Sequence, residues 1–311
     1  MLTCVVPCYN EEAVLNKFIE KITETAEEMS SLTSFEFLFI DDGSKDKTLD
    51  IIKAFALRDR RVRYISFSRN FGKEAGILAG LKYAKGDYVV LMDADLQHPP
   101  AMLKQMFEAV TREGYDCCGT RRVSRKGEPG IRSAFSTAFY KLMSKFAKSD
   151  IQDGAQDFQM MNRKYVDAVL SLAERSRFSK GIFSWVGFNK KWIECENAPR
   201  AAGKTKWSFS SLFMYALDGF FSFTTAPLML TYVFGALFCA AAVLLIIGAL
   251  IFAAVSGSAF SGTAAVCAAV LFVGGVQLVC AGIFGQYIGK IYLETKDRPV
   301  YIINETNTDK R

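Results

Sequence analysis

From Gly219 to Gly289 the chain carries no Asp, Glu, Lys or Arg. A globular core rarely supplies so long an uncharged run, because surface helices and strands alternate buried and solvated faces. Two stretches of it, Pro227 to about Val255 and Thr263 to about Ile288, each exceed the ~20 apolar residues that span a bilayer. Ser256–Gly262 is a short polar turn between them. The run predicts a two-helix transmembrane hairpin. Almost all the charge then falls in residues 1–218, so the two regions face different solvents.

Charge placement orients the hairpin. Arg200, Lys204 and Lys206 precede it, and Lys290, Lys296, Arg298, Lys310 and Arg311 follow it. The connecting turn has no cation, so the positive-inside rule puts both ends in the cytoplasm. Leu2–Val6 is too short for a signal-peptide core and has no basic lead-in, so the polar region is expected to stay in the cytoplasm, at the plasma membrane. Between the two regions, Trp207–Thr225 mixes aromatics with few charges. It fits an interfacial amphipathic helix or an extension of the first span. Gly235, Ala236, Gly274, Gly275 and Gly282 would permit contact between spans of a homo-oligomer. The net charge of +6 comes without a long basic run. That speaks against nucleic acid and suits an anionic membrane surface and phosphate-bearing ligands. Eight cysteines form no C-x-x-C pair and are expected to be buried, reduced thiols.

The polar region alternates strands and helices. Strands are expected at Leu2–Val6 (ending at Pro7), Phe35–Ile40, Val62–Phe67, Tyr88–Met92, Tyr115–Gly119, Phe158–Met161 and Lys190–Glu196. Helices are expected at Glu11–Met29, Lys47–Leu57, Gly72–Tyr83 and Pro99–Thr111. The strands are mostly apolar runs without strict polar alternation, the pattern of a mostly parallel sheet covered on both faces. Thr120–Gly130 reads as a basic loop, Ile131–Ala147 as a helix and Ser149–Gln156 as a polar connection. Polar residues gather where strands end: Tyr9-Asn10-Glu11, Asp41-Asp42, and Asp93 with Asp95. In open α/β sheets that edge binds ligands.

Asp93-Ala94-Asp95 places two carboxylates just after a strand, a pattern that can hold a hard divalent ion carrying phosphate oxygens. Alone, the tripeptide is equally compatible with a chance pair. Gln97 could add a carbonyl oxygen, and the single histidine, His98, reads as surface or structural. Asp41-Asp42-Gly43-Ser44 suits a capped turn or a carboxylate facing the N–H of a base. Asn10 could cap the first helix, while Tyr9 offers a ring to stack on a base.

Four segments, V-V-P-C-Y-N-E-E, I-D-D-G-S-K-D-K-T, S-R-N-F-G-K-E-A-G and M-D-A-D-L-Q-H-P-P, occur in this order. Together they resemble the family 2 glycosyltransferases, and among them the polyprenyl-phosphate sugar synthases. The resemblance implies an A-type glycosyltransferase domain with a Rossmann-like α/β sheet. In this scheme residues 1–206 are a cytoplasmic catalytic domain, 207–226 an interfacial segment, 227–289 the hairpin and 290–311 a cytoplasmic tail. It further implies that Pro7, Tyr9, Glu11, Asp42 and Ala94 line the nucleotide. Asp93, Asp95 and Gln97 would hold Mg2+ or Mn2+. Arg121, Arg132, Arg200 and Lys206, and more weakly Lys180 and Arg69, would serve phosphates of donor and acceptor. Asp157 matches the residue assigned as catalytic base. It also reads as a residue that orients the acceptor, or as one that caps a turn before the Phe158 strand. The implied reaction transfers one sugar, with inversion, from a nucleotide donor (UDP-glucose or a related UDP-hexose) to polyprenyl phosphate, undecaprenyl by analogy with the bacterial members. Its product would feed cell-envelope glycan modification. No Q-x-x-R-W motif is present, which speaks against a processive polysaccharide synthase.

Overall fold

The apolar runs become strands near the expected positions: β1 (Leu2–Cys8), β2 (Phe35–Asp41), β3 (Val62–Phe67), β4 (Tyr88–Leu91), β5 (Cys117–Arg122), β6 (Ala155–Asn162) and β7 (Lys190–Cys195). The computed structural model describes residues 1–122, 154–195, 224, 226–256 and 262–309. The helix expected at Ile131–Ala147, most of the loop at Thr120–Gly130, and the Trp207–Thr225 segment save Thr224 lie outside the described residues.

An eighth strand, β8 (Ile303–Thr306), lies in the segment expected to be a plain tail. One sheet results, in the order β7-β5-β6-β4-β1-β2-β3-β8. Strands β3, β2, β1 and β4 run parallel. β6 is antiparallel to both β4 and β5, β5 is parallel to β7, and β8 is antiparallel to β3. This mixed sheet accords with the mostly parallel α/β sheet expected from the sequence.

Proline in a central strand normally costs a ladder hydrogen bond. The expectation that Pro7 ends β1 fails, because the strand continues to Cys8. The missing N–H is tolerated because the β4 register with β1 reaches only Val5–Leu91, while Pro7 stays in register with Ile40 of β2.

Helices α1 (Leu15–Glu28), α2 (Thr48–Arg58), α3 (Lys73–Tyr83), α4 (Met102–Thr111), α5 (Arg163–Ser171) and α6 (Ser179–Trp185) accompany the sheet. α1 places Leu15, Phe18 and Ile22 inward at helical spacing, and Phe18 meets Phe39 of β2 edge to face at 6.4 Å. α3 is buried from Ala75 through Leu81. Its small residues allow that, since a Cβ added at Gly80 would lie 2.1 Å from Val5 Cγ1 on β1. Cys4, Cys8, Cys117, Cys118 and Cys195 are buried free thiols, and burial pushes Cys118 up to about 12.

The chain divides into two compact units, one of residues 1–214 with 298–311 and one of residues 215–297. The second contains α7 (Ala226–Ser256) and α8 (Thr263–Thr295), of 31 and 33 residues. Phe238 of α7 meets Phe272 of α8 edge to face at 5.0 Å, and Tyr287 Oη donates to the Thr224 carbonyl. Leu244, Val255 and Leu278 are largely exposed. Among the described residues, Phe272–Thr295 is a stretch long and apolar enough to cross a membrane.

The α3–β1 approach yields a stability prediction. Gly80→Ala should overpack a site whose neighbour, Val5, is fully buried. Overpacking costs about 1–3 kcal/mol, so thermal unfolding of the detergent-solubilised protein should shift down by roughly 2–10 °C. An unchanged melting temperature would mean that α3 can move away from β1 at little cost.

Candidate active site

The carboxyl ends of β1 and β2 are tied together before any ligand is considered. Asn10 has φ +53°, in the left-handed region that asparagine tolerates better than most residues. Its N–H donates to Ser44 Oγ, and its Oδ1 accepts from the Lys45 N–H at 2.8 Å. The Glu11 N–H donates to Thr48 Oγ1 at 2.8 Å, and Glu12 Oε2 accepts from the Lys47 N–H at 3.0 Å. Asn10 is therefore a bridge between loops and does not cap the first helix. α1 begins at Leu15, four residues later than its sequence pattern implied, and has no side-chain cap.

The acidic pair after β2 divides its work. Asp41 is buried and accepts from the Ser44 N–H and from Ser66 Oγ, which closes the turn. Asp42 accepts from the Phe71 N–H at 2.6 Å and the Gly72 N–H at 2.9 Å. Burial pushes the Asp42 carboxyl up, and these two N–H groups oppose it. Gly43, at φ +65°, lets the turn approach Arg69, whose carbonyl carbon would lie 2.5 Å from an added Cβ. The Arg69 guanidinium covers the Phe71 ring at 4.0 Å. Tyr9, Glu11 and Asp42 thus stand on one braced rim.

The register of β4 with β6 decides what happens beside it. Leu91 pairs with Gln159 in an antiparallel ladder. Continued by two residues, that register sets Asp93 opposite Asp157. The sequence expectation of a polar turn up to Gln156 is corrected here, because β6 already begins at Ala155 and Asp157 sits on a strand. Lys73, the first residue of α3, joins the two carboxylates. Its Nζ lies 2.8 Å from Asp93 Oδ1, 2.9 Å from Asp93 Oδ2 and 2.7 Å from Asp157 Oδ2. Burial alone would raise the Asp157 pKa, but the Lys73 and Lys180 cations outweigh it and hold the carboxyl well below the usual carboxylate range. Lys73 loses by burial and gains more from Asp157 and Asp93, so it stays charged. Lys180 Nζ also donates to the Ala155 carbonyl at 3.3 Å.

The D-A-D-L-Q-H segment turns sharply after β4. Leu96 has φ +58°, costly for a leucine, and Asp95 Oδ1 accepts from the Gln97 N–H at 3.1 Å. His98 is buried and stacks flat on Phe158, with centroids 5.3 Å apart, and burial lowers its pKa. Ala94 is buried in the core, so its methyl group is turned to protein atoms, and Pro7 is half-buried. Among the described residues, no three His, Cys, Asp or Glu side chains converge into a closed metal cage. Asp93, Asp95 and Gln97, the residues expected to hold an ion, offer oxygen donors only. Such a set fits Mg2+ or Mn2+ that takes its remaining ligands from phosphates and water.

Arg121 reaches the same end of the sheet, since it pairs in register with Ala155, and it is engaged by Glu194 at 2.6 Å. Arg132, Arg200 and Lys206 lie outside the described residues. Two site residues escaped sequence reasoning. One is Lys73, although it lies within S-R-N-F-G-K-E-A-G. Its signal was a cation on the first turn of a helix, where the macrodipole disfavours it unless anions are near. The other is Glu74, whose carboxylate accepts from the backbone N–H and the hydroxyl of Ser179 at the start of α6, next to Lys180.

Residues 3–170 match the family described as glycosyl transferase family 2. The chain is 43% identical to the putative glycosyltransferase CsbB of Bacillus subtilis, over 99% of this chain and 92% of that protein. It is 37% identical to a prophage bactoprenol glucosyl transferase homolog of Escherichia coli, over 97% of this chain and 98% of that protein. It is 39% identical to the bactoprenol glucosyl transferase of Shigella phage SfV, over 97% of each. Among solved structures, glucosyl-3-phosphoglycerate synthase from Mycobacterium tuberculosis is 18% identical, with a TM-score of 0.47 over 70% of this chain and 75% of that one. The chain belongs to glycosyl transferase family 2 and is a glycosyltransferase.

Proposed function

We propose that the protein transfers one sugar, with inversion, from a nucleotide donor to polyprenyl phosphate at the cytoplasmic face of the plasma membrane. UDP-glucose or a related UDP-hexose is the donor and undecaprenyl phosphate the acceptor. The observation that carries the reading is the Asp93–Lys73–Asp157 constellation, on a chain that matches bactoprenol glucosyl transferases over nearly its whole length, apolar helices included.

In this reading Tyr9, Glu11 and Asp42 on the braced rim receive the nucleoside, with Pro7 and Ala94 behind them. Asp93, Asp95 and Gln97 hold Mg2+ or Mn2+, which when bound offsets the negative charge that builds on the diphosphate as the sugar departs. Arg121, Arg132, Lys180, Arg200 and Lys206 supply cations for the phosphates. Asp157 faces the acceptor side. A carboxylate held so far down in pKa is a weak base. That suits an acceptor that brings its own anion, because a phosphomonoester loses its second proton near pH ~6. A hydroxyl acceptor would need a stronger base than Asp157 offers. Asp157 therefore orients the attacking phosphate and the sugar hydroxyls. Direct attack opposite the leaving group inverts the anomeric carbon without a covalent enzyme intermediate.

The proposed organisation keeps residues 1–206 as the catalytic part, 207–226 as an interfacial segment and 227–289 as a two-span hairpin with both ends cytoplasmic. The positive charge flanking the run on both sides supports that orientation. Residues 290–311 are more than a tail in this scheme, since β8 adds to the catalytic sheet.

Purified protein in lipid, supplied with undecaprenyl phosphate, Mg2+ or Mn2+ and a panel of UDP- and GDP-sugars, should form a lipid-linked sugar detectable by mass spectrometry. No such product with any donor would sink the proposal. Asp95→Ala should lower turnover by about a thousandfold, since losing several kcal/mol of charge stabilisation costs tenfold for each ~1.4 kcal/mol. Turnover near wild type in that variant would move the ion elsewhere. Asp157→Asn should lower kcat by about a hundredfold, the cost of a misplaced reacting group, with donor affinity kept, and a collapse of donor binding would make Asp157 a folding residue. With Asp157 ionised throughout the working range, the acid limb of the wild-type rate profile should follow the acceptor phosphate, near pH ~6. A limb at pH 4 or below would instead report a carboxylate.

A further inference from the structure

Lys73 sits where its own helix disfavours it. A cation on the first turn of α3 meets the positive end of the helix macrodipole, and the side chain is only 37% exposed. Its compensation is specific. One ammonium lies within 2.9 Å of both Asp93 oxygens and 2.7 Å from Asp157. Both Asp93 oxygens are thereby committed to Lys73, and they are the oxygens that a divalent ion on Asp93 and Asp95 would use.

We propose that Lys73 is a positioning residue that competes with the divalent ion for Asp93, so that the donor complex shifts the ammonium onto Asp157 alone and fixes that carboxylate for the acceptor. The inference rests on the metal reading of Asp93 and Asp95 given above. Its physics is simple. Two carboxylates side by side repel each other and need a cation, and the ammonium satisfies both. A doubly charged ion on Asp93 attracts that carboxylate more strongly and repels the ammonium. Lys73 then keeps one partner. Asp93 and Asp95 by themselves bind the ion weakly against this competitor, whereas a donor diphosphate adds oxygen ligands and tips the exchange. The site becomes complete for ion and donor together, and Asp157 is drawn tight only then.

The test is Mn2+ binding to the purified full-length protein, followed by electron paramagnetic resonance of free Mn2+, with and without UDP. Without nucleotide, Lys73→Met should tighten Mn2+ binding by at least about tenfold, in the usual range of coupling between sites. The gain that UDP gives to Mn2+ affinity should shrink by a similar factor. Lys73→Arg, which keeps a cation at the site, should behave like wild type and guards against a folding defect in the methionine variant. Lys82→Met removes a cation from the last turn of the same helix and controls for charge alone. It should move Mn2+ affinity by less than about threefold, as expected of a charge acting at a distance through solvent. Equal Mn2+ affinity in wild type and Lys73→Met, or an equal gain from Lys82→Met, would overturn the exchange and leave the metal reading standing. Failure of every form to bind Mn2+, with UDP present, would overturn the metal reading itself and the exchange with it.

Discussion

Two carboxylates that meet across a sheet need a cation between them. Antiparallel β6 enters beside parallel β4, which brings Asp157 on the one near Asp93 just after the other. Side by side they would repel each other. The Lys73 ammonium reaches both, which fixes where α3 must start. That start is braced from the other side, because Asp42 accepts the Phe71 and Gly72 N–H groups just before it. The rim at β2 and the acidic pair at β4 and β6 are therefore linked through one short turn. Glu74, the next residue of α3, extends the link to Ser179 and so to the neighbourhood of Lys180.

This arrangement also constrains the chemistry. A carboxylate ringed by cations is always charged and rarely willing to take a proton. It attracts and orders positive or hydrogen-bond-donating groups, yet it is poorly suited to abstract a proton from an alcohol. The proposed phosphate acceptor removes that demand, since it reaches the site already ionised. Base strength and acceptor type are thus one question, and the Lys73 and Lys180 cations bear on both.

Much of this was legible in the sequence for physical reasons. Continuous apolar runs marked the buried strands, and charged or polar residues after them marked the ligand edge. The placement of Asp42 and Asp93 at strand ends followed from the same pattern, whereas Asp157 was singled out by the family resemblance alone. What was hidden depends on pairing at a distance. Nothing local says that β6 begins at Ala155, because Gln156 and Asp157 are polar and look like a turn until β4 and β5 flank them. Nothing local says that Asn10 binds Lys45 and not its own helix, since asparagine satisfies either role. Pro7 reads as a strand end unless one knows that β4 has already parted from β1. Lys73 did leave a trace in the sequence, a cation at a helix start, but its meaning required both partners.

The last strand changes what the apolar helices are. β8 comes after them in the chain and pairs with β3, which comes long before. Tyr301 stacks on Phe67 at 4.9 Å, Glu305 pairs with Lys53 at 2.6 Å, and Asn307 accepts from the Tyr64 N–H at 2.7 Å. An edge strand left bare would offer β3 to other chains. Here the cover is supplied by residues on the far side of α7 and α8. The sheet is consequently built from two separated pieces of sequence, with the apolar helices inserted between them. They are an insertion within the catalytic domain, not an anchor appended to it. Phe67 also touches Phe71, on which Arg69 lies. The returning segment thus packs against Phe67, which touches the turn whose N–H groups bind Asp42.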